Sequence, residues 1–129
     1  MKLLIDTHVL LWAAADVARL TPEARTVLED GTHDVLVSTV TAWEIAIKQS
    51  LGKLDLPRPA EHWLPDVLKR TGFEVAEVPL SAALFVRGLA WHHRDPFDRL
   101  LIAHALDRGY TIMSRDAAFA PYGVSLLRA

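Results

Sequence analysis

The run Leu3-Leu4-Ile5 carries no polar side chain on either side of its pleat, so a strand built from it must be covered on both faces. That requirement selects a sheet sandwiched between helices, and the rest of the chain supplies the parts. Asp34-Val35-Leu36-Val37-Ser38, Phe73 to Val78, Tyr110 to Met113 and Val124 to Leu127 read as further strands. The two Glu of the 73–78 run suggest an edge or half-exposed position. Between the strands lie helical stretches. Val9 to Ala15 is the first, and Thr21-Pro22-Glu23 starts the second, ahead of Gly31. Thr41 to Glu44 opens the third, whose Trp43, Ile47 and Leu51 run down one side and which Gly52 closes. Ala60 to Arg70, Ser81 to Trp91 and Pro96 to Arg108 follow, with Gly72 and Gly109 ending the first and last of these. Strands alternating with helices predict a three-layer α/β/α fold with a mainly parallel sheet, and 129 residues fit one domain spanning 1–129. In such a sheet the carboxyl ends of the strands share one edge, where ligands bind.

The stretch from His93 to Ala105 places Arg94, Asp95, Asp98 and Arg99 directly ahead of an apolar helix. Asp95 followed by Pro96 is a helix entry, which puts Asp98 in the first turn, where the helix dipole favours a carboxylate. Three more acids belong to the same edge: Asp6 ends the first strand, Glu44 opens the helix after the second, and Asp116 follows the fourth. Taken singly, each has a structural explanation. Glu44 also reads as half of a capping box with Thr41, Asp98 as a dipole-favoured acid, and Asp116 as a cap for the turn at Ala117 to Phe119. Asp6 is costly at the end of so apolar a strand unless a neighbour such as Thr7 bonds to it. Taken together, four crowded carboxylates raise one another's pKa unless a cation intervenes. All-carboxylate ligation selects a hard ion such as Mg2+ or Mn2+, with Asp95 as a helix cap first and an outer contributor second.

Composition narrows the classes. The absence of Cys excludes disulfides and thiolate chemistry and is compatible with the cytoplasm. The longest apolar run, Val9 to Ala15, is too short for a membrane span, and Asp6 interrupts any export signal. A net charge of -2 argues against retention on nucleic acid by bulk electrostatics, so attraction to any nucleic-acid substrate would have to be local. Among the six His, the adjacent pair His92 and His93 is a poor chelate and reads as solvent-facing, while His8 and His104 read as packed or hydrogen-bonded. Zinc is therefore disfavoured, and no nucleophile elbow or phosphate-binding glycine loop is present.

Leu4-Ile5-Asp6-Thr7-His8, Val40 to Lys48, Asp95 to Ala105 and Ser114-Arg115-Asp116-Ala117-Ala118-Phe119, in that order, resemble the PIN-domain family, and within it the VapC-type toxins of toxin–antitoxin pairs. The resemblance implies a metal-dependent ribonuclease that dimerises and is held inactive by a VapB-type antitoxin. It implies that Asp6, Glu44, Asp98 and Asp116 form the acidic metal-binding and catalytic set, with Asp98 rather than Asp95 in the core position. Ser114 stands where the family often has Thr or Ser. Bound ions would activate water for in-line attack and leave 5′-phosphate and 3′-hydroxyl ends. Relatives are associated with tRNA and a ribosomal RNA loop. Arg94, Arg99 and Arg115 border the acids as local phosphate contacts, with Arg99 read first as a surface helix residue or as a partner of Asp95.

Two other readings compete. A haloacid-dehalogenase- or receiver-like phosphotransfer domain also places Asp at a strand end, but Asp6-Thr7-His8 lacks the second Asp of a D-x-D motif and no strand-end Lys is evident. Labelling of Asp6 by a phosphodonor would identify it. A non-catalytic PIN-fold binding module is the other, and retention of all four acids speaks against it.

Overall fold

The computed structural model covers residues 1–129 and contains five strands and six α-helices. In chain order they are β1 (Lys2–Ile5), α1 (Thr7–Ala15), α2 (Pro22–Glu29), β2 (Asp34–Ser38), α3 (Thr39–Ser50), α4 (Ala60–Thr71), β3 (Glu74–Ala76), α5 (Leu80–Phe85), α6 (Pro96–Arg108), β4 (Thr111–Ser114) and β5 (Leu126–Arg128). The strands form one sheet in the order β3-β2-β1-β4-β5, and every pairing is parallel. The expected α/β/α sandwich is therefore present.

Burial on both faces follows from the alternation along β1. Leu3 and Ile5 enter one core layer with Val35, Val37 and Met113, covered by Val9 and Leu10 of α1, Ala24 of α2, and Trp63 and Val67 of α4. Leu4 enters the other with Leu36 and Ile112, covered by Leu101, Ile102 and Ala105 of α6. Each such fully buried aliphatic side chain contributes about 1.5–3 kcal/mol relative to exposure. Trp63, 7% exposed, belongs to the core rather than to an interface. β3 and β5 are the edge strands, and Val75 of β3 faces solvent.

Three sequence expectations are corrected. First, α3 starts earlier than the Thr41-to-Glu44 signal suggested: Ser38 is its N-cap and accepts the N–H of Val40. Thr41 and Glu44 thus lie inside the helix, and no capping box forms. Second, the side of α3 turned inward carries Val40, Thr41, Glu44 and Ile45, while Trp43 and Leu51 are exposed. A helix against a sheet edge buries the face its neighbours cover, and α3 presents its acid with that face. Third, the helix expected over Ser81 to Trp91 ends at Phe85, followed by a short 3-10 helix (Val86–Gly88) and an irregular segment. Carbonyls that would have continued it are bound by Arg99 instead, as described below.

His104 of α6 is buried, and its Nδ1 lies 3.0 Å from Ser38 Oγ at the end of β2. Burial first, then the Arg108 charge, hold its pKa below the ordinary 6.5. The folded protein therefore keeps this ring neutral while the unfolded chain protonates. Its contribution to stability is complete above pH 6.5 and is lost as pH falls through 6.5 toward the folded value, by up to about 1.4 kcal/mol per pH unit. Urea unfolding at pH 7.5 and 5.5 should show a larger loss for the parent than for His104→Gln; equal losses would show that this ring is not the titrating group.

Candidate active site

Parallel pairing brings the carboxyl ends of β1, β2 and β4 to one edge, and β1 lies between the other two. The chain steps outward from β1 through β2 to β3 and then crosses back to β4 on the other side of β1, so the crevice of an open α/β sheet falls between the ends of β1 and β4. Asp6 sits there. It caps α1, with Oδ1 accepting the Val9 N–H at 2.8 Å, and its Oδ2 accepts from the Ser114 hydroxyl at the end of β4. Ser114 Oγ in turn accepts the Asp116 N–H at 3.0 Å, tying β1 to the loop after β4. Thr7 does not serve Asp6. Its hydroxyl donates to Glu44 Oε1 at 2.6 Å, linking the start of α1 to α3.

Glu44 is buried, and its second oxygen is paired with Lys48, one turn along α3. The Glu-to-Lys spacing of four residues is a readable helix signal, and sequence reasoning passed over it. Glu44, by its hydrogen bond and charge, and more distantly Asp95 and Asp98, hold the Lys48 ammonium above its usual pKa.

Asp95 caps α6 as expected, with Oδ1 accepting from both Phe97 and Asp98 N–H. Asp98 projects from that first turn, and its Oδ2 lies 2.8 Å from His93 Nε2. The same nitrogen is 3.9 Å from Asp116 Oδ2, and one ligating atom from each of His93, Asp98 and Asp116 lies within 4.8 Å of the other two. The solvent-facing assignment of His93 is therefore corrected: the ring is half-buried among the acids, while His92 is exposed. Adjacent residues in an irregular segment diverge, and one of this pair turns inward. Asp116 also caps the following 3-10 helix (Ala117–Tyr122), so its structural and site positions coincide.

The predicted acids neighbour one another in pairs, Asp98 and Asp116 around His93 being the pair closest to a ligand set. Asp6 and Asp116 share a cavity of about 300 Å³ with His8, Trp12 and Arg115. The Glu44 charge bears on both Asp6 and Asp98. Burial, with that charge adding to it, pushes the Asp6 carboxyl above the usual range despite its bonds to Ser114 and Val9. Burial and the Asp95 charge push Asp98 up to about 6. Lys48 is the one permanent cation bonded to any of the four. Buried Asp6 and Glu44, half-buried Asp98 and exposed Asp116, with so little cationic compensation, make an acidic cluster whose chemistry fits a hard divalent cation.

The arginines divide. Arg94 and Arg115 are exposed, and the Arg115 guanidinium lies 4.4 Å from the Trp12 ring centre at the cavity wall. Arg99 is neither a surface residue nor a partner of Asp95: it is 3% exposed and binds main-chain carbonyls. His8 is exposed beside Trp12 rather than packed, whereas His104 is buried as expected.

An acid-lined crevice at the switch point of a five-stranded parallel sheet defines a class, and the PIN-domain model matches residues 3–124: the chain belongs to the PIN-domain family. The relatives it resembles within that family are VapC ribonucleases. It is 27% identical over 113 residues to ribonuclease VapC22 of Mycobacterium tuberculosis, covering 88% of this chain and 85% of that one. It is 42% identical to ribonuclease VapC16 of the same organism over 50 residues, which span 39% of this chain and only 36% of the relative. Among solved structures, VapBC2 from Rickettsia felis bound to a promoter DNA fragment superposes with a TM-score of 0.72 at 14% identity, over 99% of this chain and 98% of that one. DNA-bound VapBC from Salmonella typhimurium gives 0.72 at 17% identity over 99% and 98%.

Proposed function

We propose that this chain is a VapC-type toxin: an endoribonuclease that hydrolyses RNA phosphodiester bonds at the acidic site and is neutralised by a VapB-type antitoxin. The observation that carries the reading is that acids from four separate segments of a PIN-domain chain neighbour one another at one sheet edge: Asp6 and Asp116 share a cavity, Asp98 and Asp116 meet around His93, and the Glu44 charge bears on Asp6 and Asp98. Asp6, Glu44, Asp98 and Asp116 would hold Mg2+, with Mn2+ as substitute, and the ion would supply a water of lowered pKa and offset charge developing on the phosphodiester.

The chain's own groups perform the rest. Ser114 and the Val9 N–H hold Asp6 in one rotamer, and Thr7 and Lys48 do the same for Glu44, so the donors are oriented before substrate arrives. Arg94 and Arg115 give flanking phosphates a local positive contact in a chain of net charge -2. The substrate class is tRNA or ribosomal RNA. Self-association as a homodimer is supported by Leu80, Leu84, Phe85 and Trp91, which remain exposed along and beyond α5. No helix is long and apolar enough to cross a membrane, and the cytoplasm, where RNA and antitoxin meet, is the proposed location.

Purified protein should cleave structured RNA with Mg2+ or Mn2+, leaving 5′-phosphate and 3′-hydroxyl ends. Cleavage should stop with EDTA and in Asp6→Asn. Persistence under both conditions would reject the reading, and phosphodonor labelling of Asp6 would replace it with phosphotransfer.

A further inference from the structure

We propose that Arg99 is a positioning residue for the reaction: it clamps the segment from Val86 to His93 by its carbonyls and thereby aims His93 at Asp98. The inference rests on the ribonuclease reading for its kinetic consequence, though not for its structural one.

Asp98 and Arg99 are neighbours on the first turns of α6, about 100° apart around its axis, so they face different surroundings. Asp98 turns to the acids, and Arg99 turns beneath the irregular segment. Arg99 Nη1 donates to Ala90 O at 2.8 Å, to His93 O at 3.2 Å and to Tyr122 Oη at 3.3 Å. Nη2 donates to Leu89 O at 3.3 Å and Val86 O at 3.4 Å. The Trp91 ring lies over the guanidinium at 3.7 Å while remaining 75% exposed, so the indole serves as a cover. No carboxylate pairs with this buried charge, and backbone carbonyls take its donors instead. Only a planar fork spans so many acceptors at once; an ammonium offers three donors from one point.

The clamp ends at His93, whose carbonyl it holds and whose N–H donates to Tyr122 Oη at 2.8 Å. Tyr122 in turn donates to Ala90 O at 2.8 Å, closing the network. The ring is held at both nitrogens: Nδ1 accepts the Asp95 N–H at 3.4 Å, which leaves the proton on Nε2 to be donated to Asp98 Oδ2. A carboxylate so engaged keeps its other oxygen directed and free for a cation, and loss of such an outer hydrogen bond typically costs 10- to 100-fold in metal affinity or activity.

The test compares Arg99→Lys, His93→Ala and the double variant. In the metal-free parent at pH 7.5, long-range 1H–15N NMR should show His93 with its proton on Nε2, and Arg99→Lys should show a mixture of tautomers. Mn2+ affinity, read by EPR, should fall about tenfold in each single variant and no further in the double, and kcat should behave alike at unchanged KM. The stability loss from Arg99→Lys should persist in both backgrounds. Should that variant not fold, Tyr122→Phe, which removes one hydroxyl of the network, should shift the same His93 signal. An unchanged His93 signal in the folded variant, or effects that multiply in the double, would overturn the proposal. The NMR and EPR readouts stand even if no RNA is cleaved, which separates failure of the clamp from failure of the ribonuclease reading.

Discussion

Asp98→Asn should abolish cleavage and at the same time make the metal-free protein more stable. The two effects have one cause. Burial and the Asp95 charge raise the Asp98 pKa from 3.8 to about 6, so at pH 7.5 the fold holds an ionised carboxylate in a place that disfavours it. The sign follows from linkage. A carboxyl whose folded pKa is raised contributes stability that is complete below the unfolded value and lost as pH rises through about 6. Above that, ionised Asp98 is a net cost, about 1–2 kcal/mol after allowing for the solvent that reaches a side chain one-quarter exposed. Asn removes the charge and still accepts from His93. Urea unfolding in EDTA should therefore give a higher midpoint for Asp98→Asn than for the parent, while cleavage falls by roughly 10³-fold or more, because a donor to the cation and a shaper of the developing charge are lost together. Added Mn2+ should stabilise the parent and not the variant. A variant that is less stable in EDTA, or that still cleaves, would remove Asp98 from the position assigned to it.

Metal removal should have an effect nearly as large, and one that depends on pH. At a hundredfold excess over Kd, a ligand specific for the folded state adds about 2.7 kcal/mol to stability. Mn2+ should produce a gain of that order at pH 7.5, and EDTA should reverse it. Below about 6 the cation competes with a proton on Asp98, and Asp6, also raised, adds to the competition. Apparent affinity should then fall by about tenfold per pH unit for each proton displaced. Calorimetry in two buffers of different ionisation enthalpy would count those protons: few released at pH 8, and close to one or more at pH 5.5. Cleavage should decline over the same range. An affinity that stays flat between pH 7.5 and 5 would mean that these carboxyls are not the ligands.

This tension between charge and burial explains why the acids were legible before the fold was known. Asp6 interrupts an apolar strand, and Asp98 follows a strong helix entry, so both stand out against their immediate surroundings. Glu44 was legible as an acid near the edge, but its local explanation was mistaken. Ser38 caps α3, and the strand ahead of it determines where that helix begins. Residues that complete the site left weaker traces. Thr7 was assigned to the wrong acid, since nothing local says that its hydroxyl spans to α3. Lys48 was visible in principle through its spacing from Glu44.

Sequence alone determined what depends on neighbours along the chain. Strand and helix order, the edge placement of β3, the Asp95 cap, the parallel sheet and the four acids at its carboxyl edge all follow from periodicity, capping and the burial that apolar strands demand. Tertiary structure alone decided the inward face of α3, the length of α5, the burial of Arg99 and the turn of His93 toward Asp98 and Asp116. These depend on hydrogen bonds and burial between segments remote in sequence or lying in an irregular stretch. Local propensity carries no information about which distant carbonyl or carboxylate will complete a polar group.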